Sequence, residues 1–245
     1  MEQRKPLFDQ KPLRMRMTRA NACAYIEGNV EQRLALDLTE SPETHDKLAL
    51  AGFRRVENWA YKPVCQKCQA CMPIRIDCKN HQSGRNLSRI YKSNQDLTRH
   101  VSTKPVTQEH YILFQEYLMN RHEDGQMAAM SYQEFTNMIH NSPIETFLVE
   151  YRDVTGELIA CIMVDVQADG LSAVYSFFDP LSSGRSLGTF MILDMIALCK
   201  ELGKDYLYLG FYIAQSRKMA YKARFSPSEV FHNGEWQSLS ISAEL

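Results

Sequence analysis

No part of this 245-residue chain approaches the ~18 uninterrupted apolar residues that a membrane-crossing helix needs. The opening stretch, MEQRKPLFDQKPLRMRM, is basic but has no apolar core of signal-peptide length, so the expected location is the cytoplasm. There is no excess of charge: 28 Lys and Arg face 29 Asp and Glu, for a formal net charge of −1. A bulk polycation is thereby excluded, and any grip on nucleic acid has to come from a local patch. Internal repeats and low-complexity tracts are also missing. What remains is a chain of ordinary globular composition, 44% hydrophobic and 23% charged. Its length suits one large domain or two small ones.

Cysteine, by contrast, is abundant: seven residues, four of them between Cys65 and Cys78. A reducing cytosol argues against structural disulfides. Cys65, Cys68 and Cys71 are each two residues apart, a spacing that aims thiolates at one point. With Cys23 or Cys78 they supply the four ligands that zinc or an iron–sulfur cluster takes. The pattern differs from a zinc ribbon, whose two Cys-x-x-Cys pairs are far apart. Reduced cysteines packing a small irregular subdomain fit the same residues. Cys161 and Cys199 stand in apolar contexts and read as small core residues.

The chain changes character near residue 105. Before it, a helix is predicted over Thr39 to Gly52, with Ser41 or Thr44 as cap. Strand and turn follow from Phe53 to Ile76. After it, Tyr111, Ile112, Phe114, Leu118 and Met119 form a helical stripe. Ser131 and Glu134 open a second helix as a capping box. Strands are predicted at Thr146 to Arg152, Leu158 to Val166 and Leu171 to Phe178. A helix from Thr189 to Leu202 and a strand from Tyr206 to Tyr212 complete the order. Three strands on tight turns should pair antiparallel, and the helical crossover makes the next strand parallel. The fold class is therefore α/β (α+β), and the order resembles the GNAT acyltransferase core. The expected division is a cysteine-rich domain over 1–105 and a GNAT-like catalytic domain over 106–245.

Between the third strand and its helix, Asp179 to Phe190 reads DPLSSGRSLGTF. GNAT enzymes that bind acetyl-coenzyme A hold its pyrophosphate on backbone N–H groups at this place. Arg185, Ser186 and Gly188 suit such a loop; Phe190 stands where a small residue is expected. A simple turn capped by Ser186 fits as well. Asp179 ends its strand where a GNAT-like site opens, and an acid there suits proton transfer or the start of a turn.

The most informative stretch is Tyr206 to Phe225, YLYLGFYIAQSRKMAYKARF. A buried strand breaks at Gly210, and cations interleaved with aromatic rings follow. Cations neutralise phosphates, and rings stack on unpaired bases. Lys218, Tyr221 and Lys222 are the candidates here, joined by Arg89 and Lys92. Each basic cluster taken alone also fits a solvated face.

These motifs follow one another in an order that resembles the arginyl-tRNA–protein transferase family, and within it the bacterial leucyl branch. The series is Cys23 with Tyr25, GFRR from Gly52, the run from Tyr61 to Cys71, and Arg75. It continues with RHEDGQM from Arg121, DGLSAVYSFFDP from Asp169, SLGTF from Ser186 and the segment from Ser216 to Pro227. Ala24 and Lys62 depart from the pattern, where proline and arginine are common. The resemblance implies transfer of leucine from Leu-tRNA to the N-terminal amine of proteins beginning with Asp or Glu, which marks them for proteolysis. It implies no membrane or DNA partner and no cofactor for the chemistry, with zinc or an iron–sulfur cluster at Cys23, Cys65, Cys68 and Cys71 as an option. The expected roles are catalysis by Asp179, Tyr175 and Tyr212, and acceptor binding by Arg75, Arg121 and His122. The tRNA falls to Arg89, Lys92, Arg185, Ser186, Lys218, Tyr221 and Lys222. Arginyl transfer, a coenzyme A-dependent acetyltransferase and a non-catalytic RNA-binding module are the alternatives.

Overall fold

The structure is a computed structural model that describes residues 13–121, 127 and 129–239. The chain starts as a small β module: β1 (Met15–Met17), β2 (Asn21–Ala22), β3 (Val30–Glu31), β4 (Arg33–Asp37), α1 (His45–Leu50), β5 (Arg54–Val56) and β6 (Trp59–Pro63). Strands β1, β4, β6 and β5 form one sheet, and β2 with β3 a separate hairpin. The predicted helix over Thr39 to Gly52 is shorter than expected. Two 3-10 turns precede it, and Asp37 caps the first by accepting from the Thr39 N–H, where Ser41 or Thr44 was expected.

The larger layer is built from β7 (Met72–Asp77), α2 (Arg85–Lys92), β8 (Thr98–Ser102), α3 (Gln108–Arg121), α4 (Tyr132–His140), β9 (Thr146–Arg152), β10 (Leu158–Val166), β11 (Gly170–Phe178), α5 (Leu187–Glu201), β12 (Tyr206–Tyr212), α6 (Arg217–Ala220), β13 (Ser228–His232) and β14 (Glu235–Ser238). Its strands form one eight-stranded sheet in the order β14-β13-β7-β12-β11-β10-β9-β8. The sheet therefore takes β7 and β8 from ahead of residue 105. As the order of elements predicts, β9, β10 and β11 pair antiparallel, and β12 lies parallel to β11 after the α5 crossover. The capping box also forms: Ser131 accepts from the Glu134 N–H, and Glu134 accepts from the Ser131 N–H.

Helix α5 is apolar nearly all round, and such a helix has to be buried. It packs with α2 on one face of the sheet, around Val164, Leu207 and Phe190. On the other face, α3 and α4 bury Phe114, Phe135 and Phe177. Side chains alternate along a strand. Cys161 and Met163 of β10 therefore share the α3 face with Asp165, whose carboxylate takes both Nε and an Nη of Arg55 at 2.6 Å. The β module thus covers the same face as α3 and α4.

Candidate active site

Strands β11 and β12 pair only from Gly170–Tyr206 to Ser172–Tyr208 and then part. Both carry an irregularity where they do so. In β11, Tyr175 and Ala173 pair with consecutive residues Met163 and Val164, so Val174 is the extra residue of a bulge. In β12, the register jumps from Tyr208–Arg75 to Phe211–Pro73, which leaves Leu209 and Gly210 opposite Ile74 alone. The sheet is thereby opened from both sides.

Arg54 of the β module enters this opening. Its Nη2 donates to the bulged Val174 carbonyl at 2.7 Å. Its guanidinium passes so close to Gly210 that a Cβ there would lie 2.6 Å from Nη1. Gly210 also has a φ of 74°, in the left-handed region. Two independent reasons therefore require glycine at this point.

Lys222 lies alongside and is only 5% exposed. Its Nζ donates to the Phe211 carbonyl at 2.7 Å and to Met219 Sδ at 3.2 Å. Burial, with the positive charge of Arg54 behind it, lowers this amine to about 7. A tyrosine cluster adjoins it. Burial is the largest cause holding the Tyr175, Tyr117 and Tyr221 hydroxyls above their usual range. Tyr117 raises the other two further, while Arg54 pulls Tyr221 down and Arg121 pulls Tyr117 down. Tyr117 packs on Phe178 with centroids 4.9 Å apart, and Arg121 lies over the same ring. The opening thus holds aromatic walls and cations, supplied by β5, α3, β11 and the segment after β12.

Several expected site residues sit elsewhere. Arg75 is buried and committed: it binds Glu229, Asp169 and the Tyr208 hydroxyl. Its guanidinium also lies over the rings of Tyr206 and Trp236. Nothing of it is left to hold an acceptor carboxylate. Lys222 is buried beside Phe211 and does not face phosphates. Asp179 spends its oxygens on its own turn, accepting from Leu181 N–H at 2.9 Å and Ser182 Oγ at 2.6 Å. Tyr212 packs against the main core. Ser186 occupies the cap position of α5 with a φ of 54°, but its side chain makes no capping bond. Arg185 is held by Asn94 and ion-paired with Asp96. Phe190 turns into the core between Tyr91 and Tyr151, so its ring does not obstruct the loop before α5. Arg89, Lys92 and Lys218 are exposed, as tRNA contacts need to be. His122 lies outside the described residues.

Arg54 and Tyr117 were not among the sequence candidates. Arg54 belongs to the GFRR motif, and Gly210, which breaks an apolar strand, signals the close approach of another group.

Cys23, Cys65, Cys68 and Cys71 line one cavity beside β6. The Cys71 thiol is pushed up to about 11, by burial first and then by the other three. Four thiols suit zinc or an iron–sulfur cluster by their chemistry. As they stand, no three His, Cys, Asp or Glu among the described residues are grouped to hold a metal ion. Cys78 is apart from them, buried in the core beside Cys199.

Two family profiles match the chain, arginine-tRNA-protein transferase N terminus over residues 21–89 and C terminus over residues 109–232. The chain belongs to this family. It is 41% identical over 242 residues to an aspartate/glutamate leucyltransferase of Granulibacter bethesdensis, covering 98% of this chain and 90% of that one. A relative of the same name from Rhodospirillum rubrum is 42% identical, with 87% and 88% covered. Among solved structures, L-PGS from Bacillus licheniformis is similar with a TM-score of 0.48 and 15% identity, over 72% of this chain and 51% of that chain. The Agrobacterium fabrum C-terminal domain of a putative lysylphosphatidylglycerol synthetase scores 0.46 at 14% identity, over 71% and 52%. Within the family's C-terminal half, the opening between β11 and β12 takes its walls from α3, β11 and the segment after β12. Arg54 and the four cysteines come from its N-terminal half, while Phe211 and Phe231 of the C-terminal half complete the cysteine cavity.

Proposed function

We propose that the chain transfers leucine from Leu-tRNA to the α-amine of proteins beginning with Asp or Glu, in the cytoplasm, and so marks them for degradation. The observation that carries this reading is the match, along 98% of the chain, to relatives named for that transfer. The amine nitrogen bonds to the leucyl carbonyl carbon, the ester bond to the ribose breaks, and a proton passes from the amine to the departing ribose oxygen. The ester is already activated, so neither a nucleotide nor coenzyme A enters the balance.

The opening between β11 and β12 suits this chemistry. Its tyrosine hydroxyls are held up mainly by burial, and the same surroundings favour a neutral amine over an ammonium. Lys222 is the group we assign to take the amine proton in place of Asp179. A neutral lysine has two hydrogens, and here they go to the Phe211 carbonyl and Met219 Sδ, leaving the lone pair free. An amine tuned close to neutrality is suited to general base work. The leucyl reading over the arginyl one is favoured by charge: the Arg54 guanidinium sits in the opening, and a donor arginine would be repelled there. Exposed Arg89, Lys92 and Lys218 are assigned to phosphates, which they hold without reading sequence.

The test is a transfer assay with tRNA charged in turn with labelled leucine and arginine, on peptides beginning with Asp or Ala. Leucine on the Asp peptide alone is expected. Arginine transfer moves the chain to the arginyl chemistry, and tRNA binding without any transfer sinks the enzyme reading.

A further inference from the structure

The cavity lined by the four cysteines has a volume of about 390 Å³. That lies within the roughly 300–1,000 Å³ of small-ligand sites. It adjoins the candidate active site. Phe211 forms part of its wall and gives its carbonyl to Lys222. Tyr25, also in its wall, feels the charge of Arg54.

Its lining combines apolar walls with uneven charge. Tyr25, Tyr61, Phe211 and Phe231 supply rings. Among the described lining residues the one carboxylate is Glu31, and it is already bound to Arg33 by bonds of 2.8 and 3.1 Å. Lys62 also lines the cavity, and among the described residues it forms no ion pair. Its Nζ makes one long hydrogen bond, 3.4 Å to the Ala51 carbonyl, and lies over the rings of Phe53 and Phe231. A half-buried ammonium with such weak partners gains most from an incoming anion. A carboxylate that enters takes Lys62 without breaking an existing pair, whereas Arg33 would first have to leave Glu31.

We propose that this cavity receives the acidic N-terminal residue of the acceptor protein, with its side-chain carboxylate held by Lys62. The assignment rests on the leucyl-transfer reading. It explains how one site serves both Asp and Glu. A lysine is a compact charge on a flexible stem and reaches a carboxylate one methylene nearer or farther. Asn and Gln match in shape but bring no charge, and they leave the ammonium unpaired.

The experiment compares wild type, Lys62→Met and Lys62→Arg, with Leu-tRNA saturating and peptides beginning with Asp, Glu or Asn. Methionine keeps the packing on Phe53 and Phe231 while removing the charge. Lys62→Met should raise KM for the Asp and Glu peptides about tenfold or more, the worth of one charged hydrogen bond. The kcat and the KM for Leu-tRNA should not change, and Lys62→Arg should restore affinity for at least one of the two acids. Unchanged peptide KM in Lys62→Met overturns the assignment. A raised KM for Leu-tRNA instead gives the cavity to the donor and overturns it equally. Absence of transfer by the wild type sinks the leucyl reading alone. The cavity is then judged by anisotropy of a labelled Asp peptide, which Lys62→Met must weaken; equal binding overturns it.

Discussion

The β module has a small core of its own, Leu36, Leu38, Leu48 and Ala60, with Phe53 packed against them. The eight-stranded sheet separates two cores, one rich in Leu and Ile around α5, the other in phenylalanine around α3. So small a core does not hold a fold in place, because buried apolar area is the main stabilising term. Beside an apolar seam where Tyr61 meets Phe211, the module is fastened by polar bonds to the sheet. Arg55 meets Asp165, Arg54 meets the Val174 carbonyl, Asp46 accepts from Ala168 N–H, and Trp236 donates to the Leu50 carbonyl. Apolar packing holds a shape by area; polar bonds hold it by position. The candidate site lies where the second kind of attachment crosses the first kind of scaffold.

Breaking the attachment outright should have the largest effect. Arg55 and Asp165 are both buried, and removing one partner strands the other charge. Arg55→Ala should cost about 3–5 kcal/mol. Urea unfolding would show it as a lower midpoint, or as early loss of the module. A midpoint equal to wild type would mean that the apolar seam holds the module unaided.

The next largest change is expected at Gly210. Gly210→Ala places a Cβ against Arg54 and a non-glycine residue in the left-handed region, a conformational cost of roughly 1–2 kcal/mol. Transfer should fall sharply, because Arg54 is displaced. The double variant with Arg54→Ala should be no slower than Gly210→Ala alone, since both remove the same contact. Additive losses would separate the two residues.

Lys222 sharpens the comparison from the scaffold side. Its amine is lowered to about 7 when folded, against an ordinary 10.5. Between those values the unfolded chain binds the extra proton, so stability rises with pH across that window. Lys222→Met should be more stable than wild type near neutral pH and lose this rise. Unfolding titrations at pH 7 and 9 would measure it. The same variant should lose transfer with Leu-tRNA binding intact, and full activity would remove Lys222 from the chemistry.

The smallest effect belongs to the exposed rim. Lys218→Ala should weaken tRNA binding modestly and reduce the slope of log affinity against log salt by about 1. An unchanged slope would move the tRNA to another face.

Much of the scaffold was legible because its signals are local. The strands at Thr146 to Arg152, Leu158 to Val166 and Tyr206 to Tyr212 end where their apolar runs end, and the box at Ser131 and Glu134 needs only four residues. The placement of β7 between β12 and β13 was not legible, because it depends on pairing between segments over a hundred residues apart. The hairpin of β13 and β14 was overlooked although its Asn233-Gly234 turn is a local signal. The site followed the same divide. Arg89, Lys92 and Lys218 read as exposed cations and are exposed. Arg75 and Lys222 read the same way and are buried, because the residues that cover them, Trp236, Glu229 and Phe211, come from other strands.

By itself the sequence determined the order of helices and strands in the C-terminal half and the family to which the chain belongs, since periodicity and motif order are written along the chain. Only the tertiary structure decided that two bulges open the sheet, that Arg54 crosses from the module to fill the gap, and that Lys62 is left without a carboxylate beside a cavity. Burial and charge pairing are properties of neighbours in space, and no residue carries them alone.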